Sequence, residues 1–277
     1  MYYESFIVML MNNLFEKEVK ASLLGKTVHD KLEFTSEILV PISRDKIQLT
    51  EQYEFAGRDI WNAYEFYYLS HHNKPEVYIC RIDYSSSSPY IVESKSLKLY
   101  LNSFYNRTYE STEQVKQCIK EDLENIIKHE VGVSFLDIET LSDQIPDNYI
   151  SLDKQVKNIT DHKALIFKDE VVSETVYTHT FRSLCPVTSQ PDFASIIIYY
   201  EGKQLEYESL LSYLVSFCDH QGFHEHCIDS IFQKLASQKQ IHHCSIQGLF
   251  TRRGGIDINP FRTTLKNKEL YLNLSRQ

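Results

Sequence analysis

Residues 171–182, VVSETVYTHTFR, and 194–200, ASIIIYY, decide the fold. Both runs are dense in β-branched and aromatic side chains, which suit a pleated, half-buried surface, so both predict strands. Working outward, Leu210, Leu211, Leu214 and Val215 mark one helix by their spacing, and Ile228, Ile231, Phe232 and Leu235 mark another. Residues 241–250, IHHCSIQGLF, return as a strand. The first half shows the same order. IWNAYEFYYLS (60–70) and EVYICRIDY (76–84) read as a hairpin around His71-His72-Asn73-Lys74-Pro75. SKSLKLYLNSF (94–104) then repeats Leu97, Tyr100, Leu101 and Phe104 at helical spacing. A second helix at 112–128 opens on Ser111 with Gln114 three residues later, a capping-box pattern. GVSFLDI (132–138) closes the half as a strand. The reading is an α+β duplication, with antiparallel sheets and a helix pair on one face of each. The duplication lies in pattern, not in residue identity. It divides the chain into modules 1–150 and 151–277, joined through the polar, Pro146-containing stretch Asp143–His162.

Composition narrows the function. The 277 residues suit one large or two small domains, and 42% hydrophobic residues can build a core without metal or disulfide staples. A net charge of −9 argues against a global grip on nucleic acid. The 8 glycines form neither G-x-G-x-x-G nor a phosphate loop, which disfavours a doubly wound dinucleotide-binding fold. The six cysteines include no C-x-x-C pair and fit a reducing compartment. FIVMLM (6–11) is too short for a signal peptide or a membrane span, so a cytoplasmic protein without a membrane partner is expected, and the sequons at Asn106, Asn158 and Asn273 are incidental.

Four segments could carry chemistry. In Cys185-Pro-Val-Thr-Ser-Gln-Pro-Asp192, two prolines stiffen a loop between strands, and such a loop can present a thiol to a ligand. Asp192 could then give or take a proton. A free thiol ionises near pH ~8.5, so a nucleophile here needs a nearby positive charge, for which Arg182 is a candidate. Cys185 as a small buried hydrophobe is the competing reading. Phe223-His224-Glu225-His226-Cys227 opens a helix. There a glutamate is ordinary first-turn chemistry, yet a buried one also suits a guanine-like edge that presents N–H donors. Five of the 11 histidines (220, 224, 226, 242, 243) cluster near Cys218, Cys227 and Cys244. Gly222 interrupts the helix that a zinc pair at His220 and His224 needs, and no H-E-x-x-H is present, so zinc is the weaker reading. Glu93-Ser94-Lys95-Ser96-Leu97-Lys98 enters a helix that Ser94 or Ser96 could cap, either as a solvated start or as an anion site. Thr251-Arg252-Arg253-Gly254-Gly255 could let a phosphate approach the backbone closely between guanidinium groups, or be a solvated turn.

Together these segments resemble the NADPH-dependent 7-cyano-7-deazaguanine reductases, the nitrile reductases of queuosine biosynthesis, in their long two-module form. The resemblance runs from Leu24-Gly25-Lys26 through Arg58-Asp-Ile-Trp61, Glu93–Phe104, Cys185–Asp192 and Phe223-His-Glu225 to Thr251-Arg-Arg-Gly-Gly-Ile-Asp-Ile-Asn-Pro260. It implies tandem tunnelling-fold modules, a homodimer, NADPH as cofactor and 7-cyano-7-deazaguanine as substrate, in a step toward a modified tRNA. It also implies roles. Cys185 adds to the nitrile carbon to give a covalent thioimide, and Asp192 supplies the proton. Val92, Glu93, Ser94, His224 and Glu225 hold the deazapurine. Ser94, Lys95, Arg253 and Gly254 hold NADPH, and no metal is involved. The chain departs from the family pattern at Ser189, where glycine is common, and at Phe193-Ala194, where pairs such as Trp-Gly are familiar. Two alternatives are a zinc-dependent hydrolase like GTP cyclohydrolase on the same fold, and a non-catalytic purine- or RNA-binding module.

Overall fold

The computed structural model describes residues 35–44, 56–137, 144–159, 164–265, 272–275 and 277. The run FIVMLM, the Leu24–Lys26 segment, Ile138 and the linker residues Asp143 and 160–162 lie outside the described residues. The chain forms two compact units: Met1–Gln48, Trp61–Thr140 and Arg253–Ile256 make the first, and Leu49–Ile60, Leu141–Arg252 and Asp257–Gln277 the second. Both are mixed α+β.

In chain order the first unit carries β1 (Pro41–Ser43), β2 (Ala56–Ser70, the residues to Ile60 belonging to the second unit), β3 (Pro75–Ser85), β4 (Tyr90–Val92), α1 (Ser94–Asn102), β5 (Thr108–Tyr109), α2 (Thr112–Ile127) and β6 (Val131–Leu136). Its sheet runs β6-β3-β2, with β5 parallel on β2, while β1 and β4 pair separately. Asn73 turns the β2–β3 hairpin in the left-handed region, φ 56°, which asparagine tolerates better than most residues. Leu97, Tyr100 and Leu101 of α1 and Val115, Ile119, Leu123 and Ile127 of α2 are buried at the spacing read from sequence. Phe104 meets Phe66 of β2 at 5.5 Å and Tyr100 at 5.3 Å, edge-on, fixing α1 over the sheet.

The second unit carries β7 (Ile150–Ser151), α3 (Leu152–Gln155), β8 (Phe167–Leu184), β9 (Pro191–Leu205), α4 (Tyr207–Val215), α5 (His224–Ala236), β10 (Ile241–Phe250) and β11 (Ile256–Thr263). Its sheet order is β11-β10-β9-β8-β7, antiparallel except for β7 on β8. Alternation assigns the faces. Ile196, Ile198, Cys244, Ile246 and Phe250 pack with Leu210, Leu214, Ile228, Ile231 and Phe232 of the two helices. Ile197 and Leu249, of opposite parity, belong to a separate cluster with Leu274. With 9 and 13 residues, α4 and α5 are too short to persist alone, and this shared apolar face is what holds them. Arg262, fully buried, ties α5 to the sheet through Asp229 (2.5 Å) and Asp59 (2.8 Å). The stretch read as a linker also packs: Ile150 pairs with Val176, and Leu152 is fully buried in the core.

The duplication extends to identities, which corrects the pattern-only reading. Glu93-x-x-Ser96-Leu97-x-x-Tyr100-Leu101-x-Ser103-Phe104 is matched by Glu206-x-x-Ser209-Leu210-x-x-Tyr213-Leu214-x-Ser216-Phe217. The bonds repeat with the letters. Ser96 Oγ donates to the Glu93 carbonyl (2.7 Å) and accepts from Val40 N (3.1 Å). Ser209 Oγ donates to the Glu206 carbonyl (2.8 Å) and accepts from Ile166 N (3.1 Å). Each glutamate caps its helix through its own carboxylate. Ser94 and Ser96, expected as caps, yield that place to Glu93, because its longer side chain reaches the N–H groups of both Lys95 and Ser96 (2.9 and 2.8 Å). At the start of α2, Ser111 does cap Gln114, but Gln114 returns its bond to Glu110 N rather than Ser111 N.

Candidate active site

In the second unit the β8–β9 hairpin carries Cys185 at its mouth. Cys185 N donates to the Gln190 carbonyl and Ser189 N to the Cys185 carbonyl, both at 2.9 Å, closing a tight loop between the paired residues Leu184 and Pro191. Ser189 sits at φ 55°, the conformation glycine adopts freely, and its hydroxyl accepts from Gln221 Nε2 at 2.9 Å. The departure from glycine therefore keeps the loop shape at some backbone strain. Leu184 N donates to the His220 carbonyl (2.9 Å) and Gly222 N to the Leu184 carbonyl (3.1 Å), so the segment leading into α5 is laced to the base of the Cys185 loop.

That lacing brings Asp192, His224 and Glu225 to one end of the unit. Asp192 is 5% exposed and Glu225 1%. His224 Nε2 lies 3.4 Å from Asp192 Oδ2, and its ring stacks on Phe250 at 3.9 Å and 11°. His224 Nδ1 is buried with no hydrogen-bond partner among the described residues, leaving a polar atom for a ligand to satisfy. Burial raises the Cys227 thiol to about 12, and the charges of Asp192 and Glu225 push the same way. Cys227 is therefore an inert core thiol, whereas Cys185 is partly exposed. Of the departures at 193–194, Ala194 is a core residue, and Phe193 faces outward with its carbonyl taken by Thr251 N.

Arg182, considered as a charge for Cys185, is instead engaged by the Cys218 carbonyl and by Asp219 (3.6 Å). Among the described residues no three His, Cys, Asp or Glu side chains gather as a metal-ligand set. His242 and His243 stand at exposed positions of β10, His224 and His226 in the first turn of α5, and His220 on the segment before that helix, so the zinc reading lacks a cluster among the described residues.

In the first unit, Val92 is 1% and Glu93 3% exposed; Glu93 is held by the cap described above. Ser94 and Lys95 stand in the first turn of α1, where the Glu93 carboxylate already takes the N–H groups of Lys95 and Ser96. Arg253 and Ile256 close a turn on each other (2.8 and 3.1 Å) around Gly254 and Gly255, at φ 58° and 80°. A Cβ on Gly254 would come within 3.0 Å of Lys98, and one on Gly255 within 2.6 Å of Glu65. Lys98 and Glu65, which lie 3.6 Å apart, are the residues the sequence reading missed. Lys98 was findable, since it stands one helical turn beyond Lys95. The bare glycine backbone lies against Lys98 of α1 and Glu65, at a small cavity of about 10 Å³. The internal repeat sharpens the contrast: Glu93 and Ser96 recur as Glu206 and Ser209, whereas Ser94 and Lys95 become Tyr207 and Glu208. In turn, the β2–β3 hairpin, His71–Lys74, holds neither the thiol nor the carboxylate found on the β8–β9 hairpin.

A partly exposed thiol on a stiff hairpin, a buried aspartate–histidine pair and a buried glutamate thus stand in one unit. Residues 31–135 match the family model described as nitrile reductase, 7-cyano-7-deazaguanine-reductase N-term, and residues 191–269 match the model described as QueF-like protein. The NADPH-dependent 7-cyano-7-deazaguanine reductase of Desulfotalea psychrophila is 38% identical over 266 residues, covering 92% of this chain and 96% of its own. Proteins of the same name from Hahella chejuensis (38%, covering 93% and 98%) and Coxiella burnetii (37%, covering 88% and 91%) align similarly. The chain belongs to the 7-cyano-7-deazaguanine reductase family of nitrile reductases. Among the described residues no helix is long and apolar enough to cross a membrane.

Proposed function

We propose that this chain is an NADPH-dependent oxidoreductase that converts the nitrile of 7-cyano-7-deazaguanine to an aminomethyl group. The observation that carries the reading is the grouping of Asp192, His224 and Glu225 at the base of the Cys185 hairpin, in a chain aligned almost end to end with the named reductases. The thiol of Cys185 adds across the nitrile. One C–S and one N–H bond form, one π bond is lost and nothing is released, with Asp192 handing the nitrogen its proton and recovering one from the thiol. His224, fixed by Phe250, orients the Asp192 carboxylate. Glu225 accepts from the N–H edge of the deazapurine, with Val92, Glu93 and Ser94 as further binding residues. Ser94, Lys95, Arg253 and Gly254 bind NADPH, with Lys98 beside them. NADPH, when bound, would supply one hydride to each of two successive reductions, two NADPH in all, with the C–S bond breaking between them to return the Cys185 thiol.

The finer reading is a cytoplasmic homodimer of two tunnelling-fold modules, 1–150 and 151–277, making a precursor for tRNA modification. The repeated glutamate caps at Glu93 and Glu206 support the two modules, and the family resemblance supports the rest. Intact-mass measurement after mixing the reduced protein with the nitrile alone tests the chemistry. The wild type should gain the mass of one nitrile, and Cys185→Ala should gain none. An adduct persisting in Cys185→Ala would remove the assignment.

A further inference from the structure

The Ile256–Pro260 motif holds two buried polar residues that the reaction does not use, and both lead to Gln277. Asp257 and Asn259 of β11 are fully buried, and Asn259 Nδ2 donates to Asp257 Oδ1 at 2.6 Å. That leaves the Asn259 Oδ1 to accept from Gln277 Nε2. Gln277 is itself 5% exposed; its Oε1 accepts from Leu274 N (2.8 Å) and its N–H donates to the Leu274 carbonyl (3.0 Å). Leu274 anchors the segment by packing on Ile197 and Leu249, on the sheet face opposite the helices. The carbonyl of Gln277 accepts from Arg252 Nε at 2.6 Å. Arg252 stands between two fixed points, Thr251, whose N–H donates to Phe193, and Arg253, which closes the glycine turn. An exposed arginine in a glycine-rich turn would ordinarily be free to rotate; here its Nε is held by the backbone oxygen of a residue whose side-chain amide is bonded at both its nitrogen and its oxygen.

We infer that Gln277 is a positioning residue for the cofactor-binding turn, acting through Arg252 on the presentation of Arg253 and Gly254. The inference rests on the assignment of that turn to NADPH. It accounts for the buried Asp257 and Asn259, which form the seat for the Gln277 amide.

The test measures NADPH binding by nicotinamide fluorescence, and nitrile adduct formation on Cys185 in the absence of NADPH. Gln277→Ala should weaken NADPH binding about tenfold, the scale of one or two lost buried hydrogen bonds, and raise KM for NADPH. It should leave the rate of adduct formation and KM for the nitrile unchanged, which a general loss of folded protein would not. The double variant Gln277→Ala/Arg252→Ala should bind NADPH no more weakly than Arg252→Ala alone, since both act through one contact. Wild-type NADPH affinity in Gln277→Ala, an equal loss of adduct formation, or additive effects in the double variant would each overturn the inference. If Arg253→Ala also binds NADPH normally, the assignment of the turn falls with it. If Arg253→Ala binds weakly while Gln277→Ala binds normally, only the role of Gln277 falls.

Discussion

His224 Nε2 lies 3.4 Å from Asp192 Oδ2 while the His224 ring lies flat on Phe250. The stacking holds the ring in place beside one oxygen of a carboxylate that has almost no contact with water. Geometry of this kind suits a group that must deliver a proton to one atom of a bound ligand, because little reorganisation is left to the reacting state.

Replacing that carboxylate isolates the proton step. Asp192→Asn should still bind the nitrile but form the Cys185 adduct about 10²–10⁴-fold more slowly, the usual range for a lost general acid or base. Stopped-flow or quenched mass measurement of adduct growth checks this; adduct growth at the wild-type rate would remove Asp192 from the chemistry.

Glu225 tests recognition separately. Glu225→Gln exchanges an acceptor-only group for one with two donors facing the deazapurine N–H edge. Nitrile affinity should fall by about 2–3 kcal/mol, as for a lost charge-assisted hydrogen bond. Calorimetric titration of the Cys185→Ala background reads binding without reaction. Unchanged affinity would leave Glu225 as ordinary first-turn chemistry of α5.

The repeated caps separate structure from function. Glu93→Ala and Glu206→Ala should each destabilise the protein by about 1–2 kcal/mol in urea unfolding, because each strands helix-end N–H groups. Only Glu93→Ala should also impair ligand binding beyond the loss of folded protein. Equal functional loss in both would mean that Glu93 serves the fold alone.

His220 makes stability depend on pH. His220 stands at the surface, yet desolvation of its ring against Phe217 lowers its pKa, so the folded protein takes up this proton at a lower pH than the unfolded chain, which protonates near pH ~6.5. The unfolded state then binds more protons, and this contribution to stability, present above pH ~6.5, is lost as pH falls through that range. Urea midpoints measured from pH 8 to 5 should fall more steeply for the wild type than for His220→Phe. Parallel slopes would contradict the desolvation argument.

Much of this was legible in the sequence, because long amphipathic elements announce themselves. The α2 positions Val115, Ile119, Leu123 and Ile127 and the β10 boundaries Ile241–Phe250 stand where spacing placed them. The His224–Glu225 helix start was also readable. What spacing cannot carry is which polar atom meets which. Glu93 rather than a serine caps α1, and Arg182 turns to Cys218 and Asp219 rather than toward the thiol. Glu65 reaches the glycine turn through a tertiary approach with no local signature. The E-x-x-S-L-x-x-Y-L-x-S-F repeat, by contrast, stands in the letters themselves.

The most direct test follows nicotinamide absorbance after the reduced protein is mixed with NADPH and 7-cyano-7-deazaguanine. NADPH should be lost only when the nitrile is present, at two NADPH per amine formed, and the loss should vanish in Cys185→Ala. No nitrile-dependent loss, under conditions where the Desulfotalea psychrophila relative turns over, would contradict it.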